Sequence, residues 1–243
     1  MGLTATIHQP HYLPYPGLFD KADRADVVIW LDNAAFSKGG WHNRNRIKTH
    51  TGPLLLTAPV ARSRSGAAGE IRDLPLVTAR SWQRVHEATV RQAYARAEHL
   101  PYCEPLLDVL YRRPWRTLGE LADACCSQTM QLLGIDTPTV KASDLGTTTA
   151  TKSARLVELC RRVGADTYLA GDGSRCYLDE QVFADVGIEI RWQDYRPPRY
   201  PQLHTRHGFM PNLSTLDLLA NTGPGAIEIL RAARTAAPQG AAA

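Results

Sequence analysis

His8 and His11 stand three residues apart, where a short segment, Leu3-Thr4-Ala5-Thr6-Ile7, gives way to a loop rich in proline (Pro10, Pro14, Pro16). An imidazole titrates near working pH, so a histidine fixed at a strand end by a rigid loop suits general acid–base chemistry. The same position also suits a histidine satisfied by backbone groups. As metal ligands, His8 and His11 lack a third partner at useful spacing, and Pro10 breaks any helix that would align them, so no metal is expected. Asp32 closes the next apolar run, Val27-Val28-Ile29-Trp30-Leu31. It could orient and charge-stabilise His8 if the two segments are adjacent strands, or it could close its own loop as an Asx turn.

A second group of candidates follows in Trp41-His42-Asn43-Arg44-Asn45-Arg46-Ile47-Lys48, which combines an aromatic face, two amides and three cations. Such a set could hold a phosphate, a sugar or a pantetheine arm, with arginine as the natural fork for an oxyanion. One short patch is little support for nucleic acid. Gly171-Asp172-Gly173-Ser174 reads as a turn that lets backbone approach a ligand, without being a dinucleotide fingerprint. The chain has no P-loop lysine motif, no G-x-S-x-G elbow and no H-E-x-x-H.

The elements that would position these residues alternate. Strands are expected at residues 3–8, 27–31, 53–60, 71–77, 137–142, 167–170 and 188–192. Helices are expected at 18–25, 81–97, 104–111, 117–133, 153–163, 178–185, 215–220 and 225–235. Pro75 would confine the strand at 71–77 to an edge. Residues 33–53 read as polar loop, 61–69 as a mobile loop, and 238–243 as a frayed tail. Continuous apolar runs such as 27–31 fit strands covered on both faces. The pattern predicts one α/β domain over 1–243: a mostly parallel sheet of Rossmann-like βαβ units, with a helical segment at about 81–133 packed to one side. In such sheets ligands bind beyond the carboxyl ends of the strands, where His8, Asp32, Ser143, Asp172 and Asp194 would all lie.

Composition narrows the classes. At 243 residues with 44% hydrophobic and 21% charged residues, the chain can bury a sizeable core. A net charge of +4, scattered in short clusters, is too small for a dedicated DNA binder. Cys103, Cys125, Cys126, Cys160 and Cys176 form no C-x-x-C pair. No apolar leader or membrane-length run is present, so a cytoplasmic protein with reduced thiols is expected, and no membrane partner. Cys176, after a glycine turn and Arg175, is the thiol to watch as a nucleophile.

Longer stretches resemble the WbqC-like family. They are Ile7-His8-Gln9-Pro10-His11-Tyr12-Leu13-Pro14 with Gly17, Lys21 and Ala25-Asp26, then Leu31-Asp32, Phe36-Ser37 and the Trp41–Lys48 segment. Later come Gly164-Ala165-Asp166-Thr167-Tyr168-Leu169-Ala170-Gly171, Tyr177-Leu178, Trp192-Gln193-Asp194-Tyr195, Tyr200-Pro201-Gln202, and Pro211-Asn212-Leu213-Ser214 with Asp217-Leu218-Leu219. Asp172 departs from the small residue or glycine that the resemblance would put there. The resemblance implies site positions at His8, Gln9, Tyr12, Asp32, Trp41, Asn43, Arg44, Asn45, Lys48, Tyr177, Tyr195, Gln202, Asn212 and Asp217, without assigning their roles. The family's occurrence in polysaccharide and antibiotic gene clusters implies acyl or aminoacyl transfer to an amino sugar or similar amine. An Ala- and Arg-rich composition fits a high-GC bacterium and favours the antibiotic setting.

The resulting expectation is a transferase working from a thioester donor on a small-molecule acceptor. His8 acts as general base and Asp32 holds the imidazole. Arg44 and Lys48 grip the phosphate of CoA or of a carrier protein's phosphopantetheine. Asn43, Asn45 and Tyr12 orient the acceptor or stabilise the oxyanion. An acyl-enzyme on Cys176 is a variant of this reading. No tightly bound cofactor and no nucleic acid are expected, and the oligomeric state is left open. The rival readings are a nucleotidyltransferase or ATP-dependent ligase, whose second signature histidine is missing here, and a non-catalytic sugar-binding or scaffold protein.

Overall fold

The computed structural model describes residues 2–61, 69–77 and 81–234. Five parallel strands form the central sheet in the order β5-β2-β1-β6-β7. These are β1 (Thr4–His8), β2 (Val27–Trp30), β5 (Thr139–Lys141), β6 (Thr167–Ala170) and β7 (Glu189–Trp192). Val28, Ile29 and Trp30 of β2 and all of β6 are buried because helices cover both faces, as the continuous runs require.

The two faces carry separate cores. On one, α1 (Pro16–Arg24) packs with α2 (Trp82–Ala93), α3 (Glu104–Tyr111), α4 (Leu118–Leu133), α7 (Thr215–Thr222) and α8 (Ala226–Ala232). Phe19, Trp30, Leu107, Leu121 and Leu218 meet there. On the other face α5 (Lys152–Arg162) and α6 (Glu180–Ala184) bury Val157, Cys160 and Phe183 against Ala5, Ile7 and Ile29. Local signals fix the ends of these helices. Pro16 starts α1, where a missing N–H costs nothing, and Thr117 and Glu120 form a reciprocal capping box on α4. Gly134 ends α4 at φ 66°, a left-handed conformation that glycine adopts without strain. Among the described residues no helix is long and apolar enough to cross a membrane. Cys103, Cys125, Cys126 and Cys160 are buried, whereas Cys176 is exposed.

Two sequence expectations are corrected. Residues 33–53 are not all loop: β3 (Arg44–Thr49) and β4 (Gly52–Thr57) form an antiparallel hairpin. β3 escapes a hydropathy reading because its buried side chains include Asn45, Lys48 and Thr49, each satisfied by a specific partner. Residues 71–77 are not a strand. Ile71–Asp73 is a single 3-10 turn, followed only by isolated bridges from Pro75 to Thr117 and from Val60 to Leu76. Pro75 has no N–H to offer a ladder. The loop expected at 61–69 and the tail at 238–243 fall largely or wholly outside the described residues.

Candidate active site

From β1 the chain turns through α1 to β2 on one side, and from β6 through α6 to β7 on the other. The connections therefore part between β1 and β6, opening a crevice beyond their carboxyl ends, which is where α/β sheets take ligands. A cavity of about 320 Å³ occupies it, lined by His8, Gln9, Tyr15, Lys21, Asp172, Ser174 and Tyr177 among others. A second cavity, of about 420 Å³, is lined by His8, His11, Tyr15, Trp41, Asn45, Arg46 and Asn212. His8 and Tyr15 border both.

The tautomer of His8 is set by its surroundings. Its Nδ1–H donates to the Gln9 carbonyl at 2.8 Å, so in the neutral ring Nε2 carries the free lone pair. Among the described residues nothing is hydrogen-bonded to Nε2. Burial holds the imidazole's pKa well below its usual 6.5, and the Lys21 charge and the neighbouring His11 press in the same direction. His11 lies edge-on at 4.9 Å between ring centroids, and burial lowers its pKa to about 3. His42 follows at 5.5 Å from His11 and donates from Nε2 to Gln9 Oε1 at 2.9 Å. Among the described residues these rings and their neighbours form no group able to hold a metal.

Lys21 supplies the positive charge of the first cavity. The residue is only 3% exposed, and burial brings its ammonium pKa down from 10.5 to about 8, against the opposing pull of Asp172 and Asp20. Asp172 also holds the β7 exit loop: its carboxylate accepts from the Asp194 N–H at 3.1 Å and the Tyr195 N–H at 2.8 Å. Gln193 ties that loop to α1, donating from Nε2 to the Gly17 carbonyl at 2.7 Å and to Asp20 Oδ2 at 2.8 Å.

Of the residues picked out in the sequence, His8, Gln9, Asp172 and Tyr177 meet at the first cavity, and Trp41, Asn45 and Asn212 at the second. The remaining ones have other employment. Asp32 does not hold His8. β1 and β2 do pair, but the Asp32 carboxylate accepts from the Ser143 N–H at 3.0 Å and hydroxyl at 2.6 Å, on the β5 side. Tyr12 is fully buried in the larger core, its hydroxyl bonded to Tyr111 and to His86 Nδ1, each at 2.9 Å. Asn43 donates to the Ala58 carbonyl and Arg44 to the Gly40 carbonyl. Lys48 donates to the Gly208 carbonyl at 2.6 Å and to Gln202, so it is not available to grip a phosphate. Asp217 is buried between the Tyr94 and Tyr200 hydroxyls. Tyr195 packs edge-on against Tyr15 and borders a third cavity with Arg24, Arg196 and Arg234. Cys176 donates its thiol to the Gly173 carbonyl and lines neither main cavity.

The sequence reading passed over Lys21 and Tyr15 as site residues, and named Arg46 and Ser174 only as members of the Trp41–Lys48 patch and the glycine turn. Lys21 did carry a signal: Asp20 and Lys21 are a charged pair within the run Pro16–Ala22, all of it buried, in the first crossover of the sheet. Because Tyr12 serves packing, Tyr12→Phe should cost about 1–2 kcal/mol of stability, as for a lost buried hydrogen bond, and leave any turnover the protein shows within about twofold. Thermal unfolding and a rate measurement on the same preparation check this.

The model of the WbqC-like protein family matches residues 9–229. The chain belongs to this family. The uncharacterized protein Rv1507c of Mycobacterium tuberculosis is 34% identical over 234 residues, covering 94% of this chain and 97% of that protein. No solved structure matches the chain. As a WbqC-like protein, the chain has its crevice residues from Gln9 onward inside the matched segment, and His8 directly precedes it.

Proposed function

We propose that this WbqC-like protein transfers an acyl or aminoacyl group from a thioester donor to an amine, with His8 as the general base between a donor cavity and an acceptor cavity. One observation carries the reading: His8 borders both cavities with Nδ1 tied down and Nε2 unbonded. A base in that position serves two substrates at once. The amine attacks the thioester carbonyl, its proton passes to His8 Nε2, and the tetrahedral intermediate collapses as the C–S bond breaks. The departing thiolate takes the proton back from the imidazolium.

Lys21 stands where negative charge would gather on the carbonyl oxygen, and Tyr15, whose hydroxyl burial raises to about pKa 12, remains a neutral donor beside it. The donor is met as a substrate, a thioester of CoA or of a carrier protein's phosphopantetheine, and the exposed Tyr177 ring offers its arm a surface. The acceptor is an amine of a sugar or antibiotic precursor, with the Trp41 face and the Asn212 amide to receive it. Arg44 and Lys48 have no part in this version.

The test is thiol release from acyl-CoA and aminoacyl-carrier-protein donors, followed against a panel of amines. Release that depends on the acceptor, with a matching mass gain on the amine, is the expected result. The Lys21 ammonium also favours a second reading, nucleotidyl transfer, because a nucleotide's phosphates would seek that charge. ATP-dependent pyrophosphate release without thiol release would replace the first reading by the second.

A further inference from the structure

The second cavity contains a cation that, among the described residues, has no side-chain hydrogen bond or ion pair. Arg46 lies on β3 with its guanidinium 5.6 Å from the Trp41 ring centroid. Its Nε is buried and makes no hydrogen bond, and among the described residues no carboxylate pairs with it. Its neighbours on the same strand face differ: Arg44 gives its Nε–H to the Gly40 carbonyl, and Lys48 gives its ammonium to the Gly208 carbonyl and Gln202. A guanidinium offers five donors in a planar fork, and leaving a buried one empty is costly unless a ligand fills it. The Trp41 ring attracts the cation without consuming its N–H groups. The other titratable groups lining this cavity are His8 and His11, both kept neutral by burial, and Tyr15. The cavity thus presents a single positive charge.

We infer that the acceptor carries a carboxylate, which Arg46 binds in the second cavity while its amine faces His8. One guanidinium forks onto a carboxylate or a phosphate, but its single charge balances a monoanion and leaves a phosphate dianion with net negative charge in the cavity. The inference rests on the transfer reading only for the word acceptor; the carboxylate site itself stands on Arg46, Trp41 and the cavity. It makes Arg46 the specificity-determining residue of the reaction. The carboxylate keeps its bonds throughout, and the bonds made and broken remain those at the thioester carbonyl.

Equilibrium binding to the full chain without donor tests it, by calorimetry and ligand-observed NMR. Two matched pairs serve as probes: muramic acid against glucosamine, and glycine against glycinamide. Glucosamine 6-phosphate is the phosphate control. In at least one pair the carboxylate member should bind tenfold or more tightly than its neutral counterpart. Arg46→Met should abolish that advantage, Arg46→Lys should keep part of it, and acetate should compete in the unaltered protein. Equal affinities within both pairs, no binding of either carboxylate, or an advantage that survives in Arg46→Met would overturn the inference. Tighter binding of glucosamine 6-phosphate than of either carboxylate would overturn it in favour of a phosphate. The wild-type comparisons stand even if Arg46→Met fails to fold. Arg46-dependent carboxylate binding with no thiol release from any donor would sink the transfer reading and leave this site intact. Thiol release onto neutral amines, indifferent to Arg46, would do the reverse.

Discussion

Replacing His8 by glutamine should lower turnover by about 10²–10⁴-fold, the usual worth of a positioned general base. Glutamine keeps polarity and approximate size, but its amide nitrogen lone pair is delocalised into the carbonyl and does not accept a proton near neutral pH. Nδ1 of His8 makes one bond, to the Gln9 carbonyl, which the glutamine amide can approach, so the fold should survive with little change in its unfolding temperature. The pH profile separates a base from a merely well-placed ring. Burial and the Lys21 charge hold the His8 pKa well below 6.5, so the lone pair is present throughout the neutral range. The acid limb of kcat/KM in the unaltered protein should therefore lie well below pH 6.5, and it should vanish in His8→Gln. Thiol release by His8→Gln within about threefold of the unaltered rate would remove His8 from proton transfer. Asp32→Asn gives the complementary comparison. Its carboxylate serves Ser143, so the variant should lose about 1–2 kcal/mol of stability while keeping the pH profile.

Asp32 also shows how far the residues alone can lead. Strand adjacency was legible from the apolar runs of β1 and β2 and from the short crossover between them, and the two strands do pair, with His8 opposite Trp30. Which way a side chain turns beyond a strand end depends on the strand's other neighbour. Here β2 lies between β1 and β5, and the serine after β5 supplies the donors. Nothing local encodes that choice. Tyr12 misleads for a related reason: the loop after β1 has no period, so its alternation between cavity and core is invisible until the helices it packs against are in place. His11 borders a cavity and Tyr12, its neighbour, is wholly inside. On β3 the period of two was present but masked by polarity, since Arg44, Arg46 and Lys48 share a face and, of the three, Arg46 lines the second cavity. His8 and the glycine turn at Gly171 were legible because the carboxyl end of a parallel strand has the same meaning in any doubly covered sheet.

Lys21→Met should make the protein more stable and nearly inactive. The folded-state pKa of this ammonium is about 8, against 10.5 for an unhindered lysine, so folding weakens its hold on the proton. Between those two values the unfolded chain binds more protons than the folded one, and stability rises with pH; below pH 8 the full penalty of the buried charge is present. At about 1.4 kcal/mol per pKa unit the penalty is on the order of 3 kcal/mol. Methionine occupies similar volume without the charge. The carboxylates left behind keep other partners: Asp20 has Arg24, Arg234 and Gln193, and Asp172 has Arg175 and the N–H groups of Asp194 and Tyr195. The unfolding free energy at pH 7 should therefore increase by up to about 3 kcal/mol, and the rise in stability that Lys21 contributes between pH 8 and 10.5 should disappear. Turnover should drop by about 10²–10³-fold, as when one electrostatic donor to a developing oxyanion is removed. On the proposed reading, the unaltered protein should itself lose activity as pH rises through about 8, where Lys21 gives up its proton. A Lys21→Met variant that was less stable and fully active would make Lys21 a structural cation, its charge balanced by Asp20 and Asp172. A gain in stability together with the loss of turnover would mean that the fold sustains an unfavourable buried charge at the crevice for the reaction's sake.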